Sequence, residues 1–415
     1  MSGKANKVQR LPEGWQEVRL GEACKIIISP VDKKTIEGET PVKLCNYMDV
    51  YYNNFIDSRI NFMIATANPK EIEKFSIIEG DVIITKDSET PDDIGVPAYV
   101  KETIKHLLCG YHLAILRPKK QTTGKYILYA LGSPRIKHYF YKFANGITRF
   151  GLTIESYQKI KILLPPLPEQ KAIASLLETW DTAIEKTEAL IAAKEKRFKW
   201  LLKTLISDQQ DNPEWRKVKL GDIGTISSAG VDKKIVEGEI PTRLVNYLDV
   251  LKKDFISSDD LTHWVTAPKR KIIQCDIRKG DVFFTPSSEI QGDIAHSAVA
   301  IENITNAVYS YHIIRLRINK NWDTIFRTYI FKSAYFYKQA YRMCEGSGQR
   351  YVISQNYFRG MTIRVPNLKK QQEIAKILVT IQKEIALLKQ LLERYHTQKR
   401  GLMQELLTGK SRIKP

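Results

Sequence analysis

Two arginines stand in matching places, each followed by an aromatic ring and set in a Gly-bearing loop: Arg149 before Phe150, and Arg350 before Tyr351. A guanidinium presented this way can fork onto a guanine edge or a phosphate, the alternative being a plain loop ion pair. Lys33 and Lys34, and again Lys233 and Lys234, open two copies of one segment and supply point charges suited to phosphate. Asn46-Tyr47 and Asn246-Tyr247 offer an amide and a ring for base edges, or else form a structural strand pair. Lys86, Ser88, Ser287, Ser288 and Gln291 belong to a stretch where the copies part company, "KDSETPDDIGVP" (86–97) against "PSSEIQGDIAHS" (286–297). Positions shared by both copies suit fold or backbone grip, and divergent ones suit the reading of different bases.

No residue pattern points to catalysis. The one Pro-Pro pair, Pro165-Pro166, follows Leu164, so the Asn/Asp-Pro-Pro-aromatic run that holds a flipped adenine is absent. "CEGSGQR" has the Gly-x-Gly of Gly346 and Gly348 without the strand-turn-helix setting of a nucleotide loop, and no P-loop pattern (Gly, four residues, then Gly-Lys-Ser/Thr) exists. "TPDDIG" carries Asp92 and Asp93 but no downstream Glu-x-Lys, which makes it a turn. His112 and His312 share a "YH" step before an apolar strand and read as satisfied strand-end residues. The expectation is a binder, with no catalytic residue, cofactor or metal.

Composition agrees with that class. Lys and Arg number 65 against 46 Asp and Glu, a net charge of +19, which suits a polyanionic partner. The five cysteines are scattered, odd in number and without a C-x-x-C pair, which argues against zinc and disulfides and fits a reducing cytoplasm. No apolar run approaches a membrane span or a signal peptide, so neither export nor membrane is expected.

What positions these residues is a duplicated unit of about 200 residues. Of the 26 positions beginning at Val31 and Val231, 15 are identical without a gap. The register continues through "EGDVIIT" and "KGDVFFT", then "YHLAILR" and "YHIIRLR". Within each copy, "EACKIII", "DVIIT", "VPAYV" and "HLAILR" predict strands, and "GSPRIKHYFYKFA" predicts a helix. The second copy repeats the strands and adds "TIFRTYIFKSAYFYKQAYRM", which reads as one helical stretch.

Texture changes at "LLPPLPEQ". Beyond it Ile173, Leu177, Trp180, Ile184, Thr187, Ile191, Lys194, Phe198, Leu201 and Leu205 follow a 4, 3, 4, 3 spacing. The second copy repeats it with Ile374, Leu378, Ile381, Ile385, Leu388, Leu392, Tyr395, Lys399, Leu402 and Leu406. Such seams predict two helices that pair on each other. At ~35 residues each is ~50 Å long, and an antiparallel pair lets each reach the far end of the other module. A half-chain associating through its own seam would rebuild the same two-fold pattern. The expected fold is α+β: heads over 1–166 and 209–367 alternating with long helices over 167–208 and 368–415, related by approximate two-fold symmetry.

This order resembles the specificity subunit of type I restriction–modification systems, over essentially the whole chain. Its marks are "LPEGWQEVRLGE" and "PEWRKVKLGDI" opening the halves, the "GDV..T" step, and "ILLPPLPEQKAIASLL" and "IRVPNLKKQQEIAKIL" entering the helices. Lys369 and Lys370 depart from the pattern, standing where the first half has Pro168 and Glu169, so that helix start lacks the same cap. The resemblance implies two target recognition domains reading a bipartite site in double-stranded DNA. It further implies helices that bind two methyltransferase subunits, with restriction (translocase) subunits joining through the complex. The rival readings are a self-sufficient methyltransferase or nuclease, and a coiled-coil scaffold that never touches DNA.

Overall fold

The structure, a computed structural model, describes residues 11–228, 230–347 and 349–413. The chain forms two compact units, one running to Thr187 and resuming at Leu391, the other spanning Glu188–Gln390. Each holds one head, the start or end of its own long helix, and a stretch of the other's.

In the first head, a five-stranded sheet runs in the order Cys24–Ile28, Leu113–Pro118, Val82–Thr85, Pro97–Val100, Phe55–Ile56. A three-stranded sheet of Met63–Ala67, Thr40–Cys45 and Leu107–Cys109 lies beside it in sequence and core. The second head repeats both, its larger sheet being Gly224–Ser227, Ile314–Ile318, Asp281–Phe284, Ser297–Ala300, Phe255–Ile256. Alternate residues of the central strand enter different cores: Val82 and Ile84 one, Ile83 the other. Val282 and Phe284 part from Phe283 in the same way. A sheet covered on both faces needs apolar residues at every position, which is why "DVIIT" and "DVFFT" read as unbroken runs.

The repeated motifs lock these elements. Gly80 and Gly280 take left-handed backbone, φ +92° and +85°, at the turn into the central strand. Asp81 and Asp281 follow, each 1% exposed. The Arg117 fork donates to Asp81 at 2.9 and 2.8 Å, and the Arg317 fork to Asp281 at 2.8 and 2.7 Å. The "GD" of one motif thus holds the final Arg of "YHLAILR" and "YHIIRLR". Removing either arginine leaves a buried carboxylate without its cation, at about 3–5 kcal/mol.

Opening and exit motifs also meet. Gln16–Arg19 pairs antiparallel with Lys161–Leu164, and Arg216–Lys219 with Thr362–Val365. Trp15 is buried and donates from Nε1 to Glu169 at 3.1 Å. Gln170 and Gln371, both buried, each donate to the proline carbonyl five residues before, at 2.9 Å. The helix start with Lys369 and Lys370 does not go uncapped, because the Asn367 side chain accepts from the Lys370 N–H at 2.9 Å.

Two helical expectations need correction. The stretch from Thr324 is two helices, Thr324–Ile330 and Ala334–Met343, because Ser333 caps the second by accepting from the Phe336 N–H at 3.2 Å. The first head likewise has a helix at Gly124–Leu131 before Pro134–Phe143, buried along nearly all its length and so without an amphipathic pattern to betray it.

The long helices span Leu167–Leu202 and Leu368–Leu406. Gly401 lies inside the second, and Gly409, at φ +72°, lies just past its end. Every seam position named above is buried or half-buried, while Glu188, Ala189 and Leu190 between two of them are exposed. Within the first unit, Glu169 meets Arg412 and Asp181 meets Lys399, so the strands of the pair run antiparallel. Within the second, Lys194 meets Glu384 at 2.6 Å and Glu195 meets Lys389 at 2.6 Å.

Candidate nucleic-acid interface

The Asn-Tyr step is a helix start, which overturns its reading as a strand pair. The strand Thr40–Cys45 ends at Asn46, the N-cap of a short helix, Tyr47–Tyr51. Asp49 accepts from the Asn46 N–H at 2.7 Å, and Asp249 from the Asn246 N–H at 2.9 Å. Tyr47 faces the Ser88 hydroxyl, and burial holds its phenol above the ordinary range. Tyr247 faces Ser288 in the same way and with the same direction of shift.

Around this step the first head assembles a polar recess of about 120 Å³ lined by Asp32, Lys33, Asn46, Tyr47, Tyr111 and His112. Its rim is built by a short antiparallel pair, Asp87–Ser88 with Phe150–Gly151. Arg149, more than half exposed, places Nη2 3.1 Å from Asp87 and 3.2 Å from the His112 Nδ1. His112 lies 2.9 Å from the same carboxylate. The Lys86 ammonium sits 4.4 Å from the Tyr111 ring centroid, a cation–π contact. At the recess mouth Lys34 pairs with Asp32 at 3.2 Å. The Lys33 N–H and then the Lys34 side chain hold the Asp32 carboxyl below its usual range.

The second head repeats the plan with other chemistry. Ser287–Ser288 pairs with Tyr351–Val352, and Arg350 donates to the Ser287 hydroxyl at 3.1 Å. Lys234 pairs with Asp232 at 2.9 Å. Burial, then the Arg350 and Lys233 charges, hold His312 below the ordinary imidazole range. Gln291 is exposed, and its amide donates to the Tyr341 carbonyl at 3.2 Å.

So Lys33, Asn46, Tyr47, Lys86 and Arg149 gather on one surface over the buried Ser88, as do Lys233, Asn246, Tyr247, Ser287, Ser288 and Arg350 with Tyr351. Gln291 lies outside that cluster, tied back to the helix Ala334–Met343. Asp87, His112 and Tyr111 belong to the surface but were not singled out for it. Their place follows from strand register: Leu113 pairs with Thr85, which sets His112 beside Lys86 and Asp87. Among the described residues no group of His, Cys, Asp and Glu could hold a metal ion. The arrangement offers cations, amides, hydroxyls, rings and the Asp87 carboxylate, groups suited to phosphate and base-edge recognition.

Two successive stretches, 12–194 and 212–394, match the model of the type I restriction modification DNA specificity domain. The type I restriction enzyme MjaVIII specificity subunit of Methanocaldococcus jannaschii is 25% identical, over 98% of this chain and 95% of its own. The EcoKI specificity subunit of Escherichia coli is 23% identical, over 88% and 82%. The crystal structure of the type I restriction–modification S subunit of M. genitalium aligns with a TM-score of 0.57 at 16% identity, covering 98% and 99%. That of the HsdS subunit of Thermoanaerobacter tengcongensis gives 0.51 at 18%, over 98% and 99%. A two-headed recognition protein is the class that fold and surface define. The chain belongs to the type I restriction–modification DNA specificity family.

Proposed function

We propose that each head reads one short DNA word through the surface around Arg149 or Arg350, the two words making a bipartite target. The chain is a specificity subunit: it recognises double-stranded DNA by sequence and directs methyltransferase and restriction subunits, which carry the catalysis. The observation that supports two different words is the repeated surface with unlike chemistry, Asp87 and His112 beside Arg149 against Ser287 beside Arg350. Residues 1–166 and 209–367 act as reading heads, and 167–208 with 368–415 as the antiparallel helical spacer between them.

The spacer helices also supply docking surface. Each unit exposes the same pair of apolar side chains on them: Leu176 and Leu391 in one, Ile377 and Leu190 in the other. Exposed apolar residues in repeat positions suit two copies of one partner, the methyltransferase subunits. Among the described residues no helix is long and apolar enough to cross a membrane. As a DNA-reading subunit the protein is placed in the cytoplasm, where its DNA lies. Mapping methylated adenines in host DNA with and without this chain tests the reading. Loss of methylation at one bipartite sequence is expected, and an unchanged methylation map overturns it.

A further inference from the structure

We propose that Asp87 is a specificity-determining residue of the first head: it holds Arg149 in an internal ion pair that DNA must break. This rests on the reading of the surface given above. Arg149 and Arg350 are repeat partners on repeat strands, since Phe150 pairs with Ser88 and Tyr351 with Ser288. Their immediate neighbours differ in charge. Asp87, whose side chain is 13% exposed, sits 3.1 Å from the Arg149 guanidinium, whereas at the matching position Arg350 donates to the neutral Ser287 hydroxyl at 3.1 Å. His112 adds a second partner for Arg149, 3.2 Å away and itself 2.9 Å from Asp87. The acidic bias extends along the loop: 86–97 carries Asp87, Glu89, Asp92 and Asp93, while 286–297 carries Glu289 and Asp293.

An arginine already neutralised gives little to an arbitrary phosphate. It leaves its carboxylate only for a partner that offers more, such as the two acceptors of a guanine edge. The Arg350 guanidinium has no such competitor on the opposite strand and grips backbone without regard to sequence. Arg149 is therefore a discriminating contact of the first head, and Arg350 a backbone grip of the second, whose word is read through its other groups.

The test uses the full chain assembled with its modification subunits, with binding followed by fluorescence anisotropy across a salt series. Probes are a cognate duplex and a scrambled one. Asp87→Ser tightens binding to scrambled DNA severalfold and steepens the log–log salt slope by about 0.9, one phosphate contact. Asp87→Asn, which keeps the shape and removes the charge, shifts both in the same direction, and Ser287→Asp shifts both the opposite way. Unchanged scrambled binding and slope in Asp87→Ser overturn the proposal. So does weaker cognate binding with scrambled binding unchanged, since Asp87 would then be accepting from a cytosine amino group. Arg149→Ala and Arg350→Ala separate the two levels. If neither alters binding to any duplex, the surface itself is not the interface, and the proposal falls with it.

Discussion

Lys399 of the second long helix closes on the Asp181 carboxylate of the first, and the Tyr129 hydroxyl donates to that carboxylate at 2.7 Å. In the other unit the helix residues of this layer are uncharged: Tyr329 donates to Gln382 at 2.7 Å, its ring lies 6.2 Å from that of Phe198, and Gln382 in turn donates to Asp254 of the head, which pairs with Lys332. Repeat positions thus carry Asp181 against Gln382 and Lys399 against Phe198. The pairing of the helices is written with different chemistry at its two ends.

Lys399→Met strands a carboxylate that is 9% exposed, at about 3–5 kcal/mol. For a unit of this size that is a fall of about 6–20 °C in unfolding midpoint. The double variant Asp181→Gln/Lys399→Phe imports the uncharged helix pair, leaves no buried helix charge unpaired, and falls by less than either single change. Calorimetry of the three variants checks this; losses that simply add would show the layers are not interchangeable.

A half-chain ending near residue 208 would set Asp181 opposite Phe198 of a second copy. Its own seam would otherwise favour self-association, but this layer buries a carboxylate without its lysine. Analytical ultracentrifugation should find weak dimerisation, strengthened by Asp181→Gln. Equal association of the two forms would remove the charged layer as a pairing device.

Lys233 stands exposed beside the paired Lys234, and among the described residues no carboxylate lies within ion-pair distance of it. Lys233→Ala should weaken cognate and scrambled DNA alike and flatten the salt slope by about 0.9. A change confined to cognate DNA would make Lys233 a base reader.

Antiparallel pairing means that a spacer can be lengthened only in both helices at once. One heptad inserted after Thr187 and another after Gln390 keeps the seams in phase and adds ~10 Å at 1.5 Å per residue. With ~3.4 Å per base pair, the gap between the two words should grow by about three base pairs. Site selection from a library with randomised gaps reads this directly; an unchanged gap in an active variant would show that the helices do not set it.

The repeat, the strands and the seams were legible because each rests on a period or an offset in the chain. The buried helix Gly124–Leu131 was not, since burial on nearly all sides erases the amphipathic signal. Nor was the break at Ser333, a cap hidden inside an otherwise helical run. Candidate contact residues could be gathered from their chemistry, and several meet on one surface because strands far apart in sequence pair there. The roles of Asp87 and His112 needed that pairing register, which no local pattern carries. Asn46 showed the opposite limit: its type suits a base edge, a turn and an N-cap equally, and only the backbone around it reveals the cap.

The central claim is that two heads read two words independently through the repeated surface. Its most direct measurement is site selection from a randomised duplex library with the assembled enzyme, comparing the parent with a chain in which 286–297 is replaced by the sequence of 86–97. A bipartite site is predicted for both, with one word altered in the variant and the other word and the gap retained. A site without two words, or a replacement in a folded variant that alters both words or neither, would contradict it.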